Sequence, residues 1–159
     1  MNAESALRAV AIGVGATLAM DLWGLLLRRA FGIRSLDYCL LGRWILHMPD
    51  GTFAHRSIAA SAPKRYECPS GHAAHYSIGA AFGVMFVLLA GDGWLARPTL
   101  LPALAFGIVT VVVPYFVMQP ALGLGIASSK AAHPATARLK SFGTHLVFGL
   151  GVWVWALLL

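Results

Sequence analysis

The sequence predicts an all-α polytopic membrane protein with four transmembrane helices, and three observations lead there. Hydrophobic residues make up 58% of the 159-residue chain and charged residues only 11%, where a soluble domain carries about 25% charged residues. Mean hydropathy is +0.73, and a soluble fold of this size has too little polar surface to cover so apolar a chain. Four separate stretches reach the roughly 20 apolar residues that a helical span needs, and the basic residues are sorted between their connecting loops.

Taken in order, the spans are expected near residues 7–28, 71–90, 98–120 and 141–159, within one integral membrane domain covering 1–159. Residues 1–8 carry one acid and one base, not the basic run of a signal peptide, so the first stretch reads as a retained span. Ser70 and Ser141 are placed to cap the second and fourth helices, and Pro98 suits a first helical turn. Gly91-Asp92-Gly93 ends the second span, and Gly123 and Gly125 come after the third. Between the first two spans, residues 35–48 predict a helix of about 21 Å, too short to cross. It is expected as an interfacial or re-entrant helix, with Asp37, Arg43 and His47 on its polar side and Pro49 and Asp50-Gly51 at its end. Residues 52–69 read as loop.

Ten of the twelve Lys and Arg residues lie in the first and third loops, and only Arg8 and Arg97 lie on the other side. The positive-inside rule puts those two loops in the cytoplasm and both termini outside it. The net charge of +6 then reflects topology and anionic headgroups, and no nucleic-acid motif accompanies it. Trp94, Trp153 and Trp155 are expected as aromatic anchors at the outer interface. Cys39 and Cys68 form no CxxC pair or disulfide framework, and on the cytoplasmic side they are expected as ordinary reduced residues. Gly79/Gly83, Ala11/Gly15 and Ala103/Gly107 have the small-residue spacing that lets helix backbones approach in lipid.

Polar residues inside the spans carry the functional signal. A central Asp costs about 2.5–3.5 kcal/mol on insertion scales, so Asp21 is expected to face other helices and find a partner. His75 and His145 each lie one turn into a span, and Gln119 closes the third. His72 precedes His75 by three residues and reads as interfacial; His47, His55 and His133 read as loop residues. Counting rise along antiparallel helices puts Asp21, His75, Gln119 and His145 within one or two turns of a common depth near the cytoplasmic side. His75-x-x-x-Gly79 and His145-x-x-x-Gly149, with Met20-Asp21 and Met118-Gln119, form a faint internal repeat. Pro114 and Pro120 free the carbonyls of Thr110 and Phe116, which need partners in lipid. Two helix N-termini point at the same region and favour anions, whereas Asp21 favours a cation or proton, so the sign of a ligand stays open.

Pro69-Ser70-Gly71-His72 matches the central motif of the type 2 phosphatidic acid phosphatases, but the flanking motifs of that family are missing: Arg97-Pro98 lies after it instead of before, and Ser129-Lys130 lacks the remaining spacing. No catalytic residue is read from it. Cys68, His72, His75 and His145 have weak metal-donor spacing, and two facing histidines suit haem axial ligation; no metal ligand is assigned and the cofactor is unknown.

The run Gly15-Ala16-Thr17-Leu18-Ala19-Met20-Asp21-Leu22-Trp23 resembles the opening of an uncharacterised bacterial family of small four-span inner-membrane proteins. Ser35-Leu36-Asp37-Tyr38, Gly42-Arg43-Trp44, Ala74-His75-Tyr76-Ser77-Ile78-Gly79, Met118-Gln119-Pro120 and Thr144-His145-Leu146-Val147-Phe148-Gly149 are similar too. The resemblance implies a bacterial inner membrane and no activity. From the residues, the expected function is membrane-embedded binding or transport of a small ligand, ion or proton through Asp21, His75, Gln119 and His145. The alternatives are a structural or accessory subunit of a larger complex, and a haem- or metal-bearing redox protein or membrane enzyme. Lipid is the surrounding partner, a homo-oligomer or larger assembly would complete a pore, and nucleic acid is not a partner.

Overall fold

Asn2 opens the first helix: its side-chain oxygen accepts the Ser5 N–H at 2.8 Å. Helix α1 then runs Ala3–Phe31 until Gly32, at φ +69°, takes the left-handed conformation and returns its N–H to the Arg28 and Leu27 carbonyls. The computed structural model describes residues 1–159 and contains helices and turns but no strand. The remaining helices are α2 (Tyr38–His47), α3 (Glu67–Ala90), α4 (Asp92–Ala96), α5 (Leu100–Thr110), α6 (Gln119–Ala121) and α7 (Pro134–Leu158). A π-helical turn, Pro114–Met118, links α5 to α6. Four helices are long and apolar enough to cross a membrane: Ala3–Phe31, Glu67–Ala90, Leu100–Ala121 and Pro134–Leu158. The all-α, four-span class expected from composition is the class observed.

The short helix of the first loop is present as α2, capped by Asp37, whose carboxylate accepts the Cys39 N–H at 2.9 Å. It ends in the 3-10 turn Met48–Asp50, with Gly51 left-handed at φ +78°. Ser70 and Ser141 are not caps. Helix α3 begins earlier, where the Glu67 side chain reaches back to accept the Lys64 N–H at 2.9 Å. Pro69 sits in the first turn, whose N–H groups have no helical partner to lose. Helix α7 begins at Pro134, two turns before Ser141. An apolar-run criterion misses such polar opening turns.

The chain divides into two compact units. Unit 1 comprises residues 1–35, 76–110 and 143–159 and is a helical bundle closed by small residues. Gly79 and Gly83 of α3 lie against Ala9, Gly13 and Thr17 of α1, where any Cβ would strike backbone or the Thr17 hydroxyl. Gly107 of α5 faces Gly149 and the His145 carbonyl of α7, with 2.6 Å left for a Cβ. Gly15 receives the Trp155 indole, and Gly151 lies 2.8 Å from the Ala16 Cα by the same measure. The Gly79/Gly83 and Ala103/Gly107 pairs thus do what their spacing predicts. The useful face of α1 is Ala9-Gly13-Thr17, however, and Ala11 is exposed. Phe86, Phe106, Phe148 and Trp94 fill the remaining core. Trp94 is a correction: it is 8% exposed, packs edge-on against Phe86 at 4.6 Å and donates its indole N–H to Thr99 O. It is a core residue of this unit.

Unit 2 comprises residues 36–75 and 111–142. Helices α2 and the first turns of α3 cross so closely that a Cβ on Gly42 would strike Glu67 O and one on Gly71 would strike Tyr38 O. Three residues before each glycine lies a cysteine, and Cys39 and Cys68 are joined in a disulfide. The expectation of two independent thiols is therefore corrected. The 29-residue separation hid the pair, and the matching Cys-x-x-Gly spacing on both helices was the available signal.

Candidate functional site

Each of the four expected residues has a partner that the sequence did not name. In unit 1, the α1–α3 crossing at Thr17 and Gly79 fixes the residues that meet one turn further on. There the Tyr76 hydroxyl donates to Asp21 Oδ2 at 2.8 Å. The carboxylate is partly buried and bonded across two helices, as an acid in an apolar span must be. Tyrosine was missed because a phenol carries little hydropathy penalty and does not stand out in an apolar run.

The second cross-helix pair of unit 1 joins α5 and α7. Thr110 is 3% exposed and donates its hydroxyl proton to Gly107 O at 2.6 Å. Its oxygen lies 2.8 Å from His145 Nδ1. A hydroxyl has one proton, so Nδ1–H is the donor in this contact and Nε2 is the basic nitrogen of the neutral ring. The close approach of Gly107 to the α7 backbone holds Thr110, one turn on, against His145.

In unit 2, the Tyr38 ring stacks on His75 with centroids 4.1 Å apart and meets His72 edge-on at 5.3 Å. His72 donates from Nδ1 to Cys68 O at 2.8 Å, which ties the ring to its own helix. His72, Ser70 and Gly71 are thus interior to α3. Cys68, engaged in the disulfide, offers no thiolate, and no group of three His, Cys, Asp or Glu residues is placed to hold a metal.

Gln119 is the most buried of the four, 4% exposed. The π-turn beginning at Pro114 absorbs the proline by an i−5 bond, Gln119 N–H to Pro114 O. Gln119 and the rest of the chain beyond this turn are thereby rotated relative to a regular helix. The Gln119 amide NH₂ donates to Ser141 Oγ at 3.2 Å. Its Oε1 is buried with no hydrogen-bond partner.

Arg43, expected only on the polar side of the short helix, holds a hydrogen-bond network that the sequence does not show. Its guanidinium bonds both Glu67 carboxylate oxygens, at 2.8 and 2.7 Å, and reaches the Ile58, Ala59 and Ser61 carbonyls at 3.2–3.3 Å. The Glu67 hydrogen bond raises the Arg43 pKa further above its ordinary value. Lys64 hydrogen-bonds Asp50 and holds that carboxyl below the usual range.

A family model described as "Protein of unknown function (DUF2938)" matches residues 10–159. No curated protein and no solved structure matches the chain.

Proposed function

The chain belongs to the DUF2938 family, whose description carries no activity, and we propose from its own residues that it binds or transports a proton, ion or small ligand within the membrane. Gln119 carries this reading. An amide oxygen buried without a donor costs about 1–3 kcal/mol, and a bound ligand bearing an N–H or O–H would supply the missing bond. Asp21 and His145 are titratable groups held across helix pairs, and imidazole changes charge near neutral pH. His75, stacked on Tyr38 in unit 2, is the fourth residue that the sequence singles out.

In this reading residues 1–159 form one membrane domain in a bacterial inner membrane, with lipid around it. The ten-to-two distribution of cations favours cytoplasmic first and third loops and periplasmic termini, so the polar residues open toward the cytoplasm. Four spans enclose little space, which favours a homo-oligomer or larger assembly. The Cys39–Cys68 disulfide weighs against that orientation, since a cytoplasmic loop meets a reducing pool. Rapid thiol trapping in intact cells therefore reads the orientation: Cys39 and Cys68 reduced for cytoplasmic loops, oxidised for the reverse.

A second reading, a structural or accessory subunit of a larger complex, is favoured by the Asp21–Tyr76 and Thr110–His145 bonds, each of which ties one helix to another.

Gln119→Leu separates the two readings. Thermal unfolding in lipid nanodiscs, titrated with ammonium and small alkylammonium ions, should show a ligand-dependent rise for the native protein that the variant loses while still folding. No rise with any probe, or an equal rise in both proteins, would count against the binding reading.

A further inference from the structure

Unit 2 holds a second feature, separate from the four polar residues. Ala54, His55 and Arg56 face the segment from Pro120 to Lys130 across an open cleft of about 600 Å³. Its three titratable lining residues are His55, Arg56 and Lys130, and no acid lines it. Arg56 and Lys130 are exposed, so their charges are available to a ligand.

The walls are fixed. His55 N–H donates to Ala121 O at 2.8 Å, and Ile58 N–H to Leu122 O at 3.1 Å. Gly123, at φ +90°, lies so close to the other wall that a Cβ would strike Arg56 O. Gly125, at φ +72°, allows the chain to turn so that Lys130 N–H reaches Leu124 O at 2.8 Å. Arg138 Nε donates to Ala127 O at 2.9 Å and braces the far end. Two glycines in left-handed conformations therefore bring Arg56 and Lys130 to one opening.

His55, in the lining, adds an unsatisfied ring nitrogen. The Ser61 hydroxyl donates to Ser57 O at 3.1 Å, so its oxygen accepts Nδ1–H of His55 at 2.9 Å. Nε2 is left buried with no partner. In this tautomer of the neutral ring Nε2 is an acceptor, which a hydroxyl on the ligand would satisfy. Apolar surface lies alongside: Ile126 in the lining is 57% exposed, and Phe53, beside Ala54, is 63% exposed.

We infer that the cleft lined by His55, Arg56 and Lys130 binds a phosphate-type oxyanion, carried on a lipid headgroup or free in solution. Arg matches phosphate oxygens with two parallel donors, and Lys adds a point charge. Exposed Ile126 in the same lining suits an acyl-bearing ligand.

The test uses the full chain in nanodiscs. Native mass spectrometry measures retained phosphatidylglycerol against phosphatidylcholine, and a separate titration in phosphatidylcholine discs uses inorganic phosphate. The wild type should retain phosphatidylglycerol, or be stabilised by phosphate, and Arg56→Gln/Lys130→Gln should weaken that binding at least about fivefold, a loss of about 1 kcal/mol. Arg29→Gln, a cation at the end of α1, should leave it unchanged. Preference for the lipid alone identifies a headgroup site; response to inorganic phosphate alone identifies a free anion. Binding of neither probe, or an equal loss in Arg29→Gln, overturns the inference. His55→Gln, which keeps a polar side chain, guards against misreading a folding defect: it should weaken binding without lowering the melting temperature as far as disruption of Arg43 does.

Discussion

Both units use glycines for close backbone contact, but what they add to it differs. Unit 1 relies on backbone contact: glycines at 79, 83, 107 and 149 let helices touch where a Cβ would not fit. Unit 2 relies on specific chemistry: a disulfide, a bidentate ion pair between Arg43 and Glu67, and loop carbonyls bonded to Arg43. The first should be intolerant of volume and indifferent to redox state and charge. The second should depend on both, and on volume too where Gly42, Gly71 and Gly123 meet neighbouring carbonyls.

Added volume in unit 1 should have the largest effect. Gly107→Val places methyl groups against the α7 backbone, which cannot rotate away as a side chain can. The expected loss exceeds the roughly 1–3 kcal/mol of ordinary overpacking and should appear as failure to refold or a collapsed melting transition in micelles. Full tolerance would break the comparison.

Opening the disulfide comes next. Releasing a crosslink across 29 residues should cost about 3.5 kcal/mol in the chain-entropy picture. Guanidinium titration of the oxidised protein, of the reduced protein and of Cys39→Ser/Cys68→Ser gives the value. Unit 1 probes should move less than unit 2 probes.

Arg43→Met leaves Glu67 without its cation and should lower the melting temperature. Arg43→Met/Glu67→Leu should recover most of that loss. A double variant no better than the single would mean that the loop carbonyls, not Glu67, carry the effect.

The smallest effect is on pH dependence. Burial, then the neighbouring His47, pushes the His55 pKa below its ordinary 6.5. The unfolded chain therefore binds a proton more readily than the folded one. That contribution to stability is complete above about 6.5 and is lost as pH falls through the lower folded value. Melting temperature should decline between pH 7 and 5.5, and His55→Gln should flatten the decline. Asp50, lowered by Lys64, acts in the same direction at more acid pH.

The same contrast explains which features are legible in the chain itself. The spans were legible because hydropathy is a local sum, and the Gly79/Gly83 and Ala103/Gly107 contacts because helical periodicity fixes their face. That Asp21 requires a hydrogen-bond partner comes from the cost of an acid in hydrocarbon. That Tyr76 supplies one does not, since it depends on the register between α1 and α3. The disulfide, the Arg43–Glu67 pair and the cationic cleft were hidden because they join positions far apart in sequence through loops with no period. The openings of α3 and α7 were misjudged because Glu67 and Pro134 start helices outside the apolar runs.

Among the ligands the functional reading allows, a proton is the one that Asp21 itself can carry. Liposomes loaded with a pH-sensitive dye and given an inward proton gradient test it directly. The native protein should acidify the lumen faster than protein-free vesicles, and Asp21→Asn, folded and with Tyr76 still able to donate to its amide oxygen, should return the rate to the protein-free baseline. An Asp21→Asn rate equal to that of the native protein, or no native rate above the baseline, would contradict it.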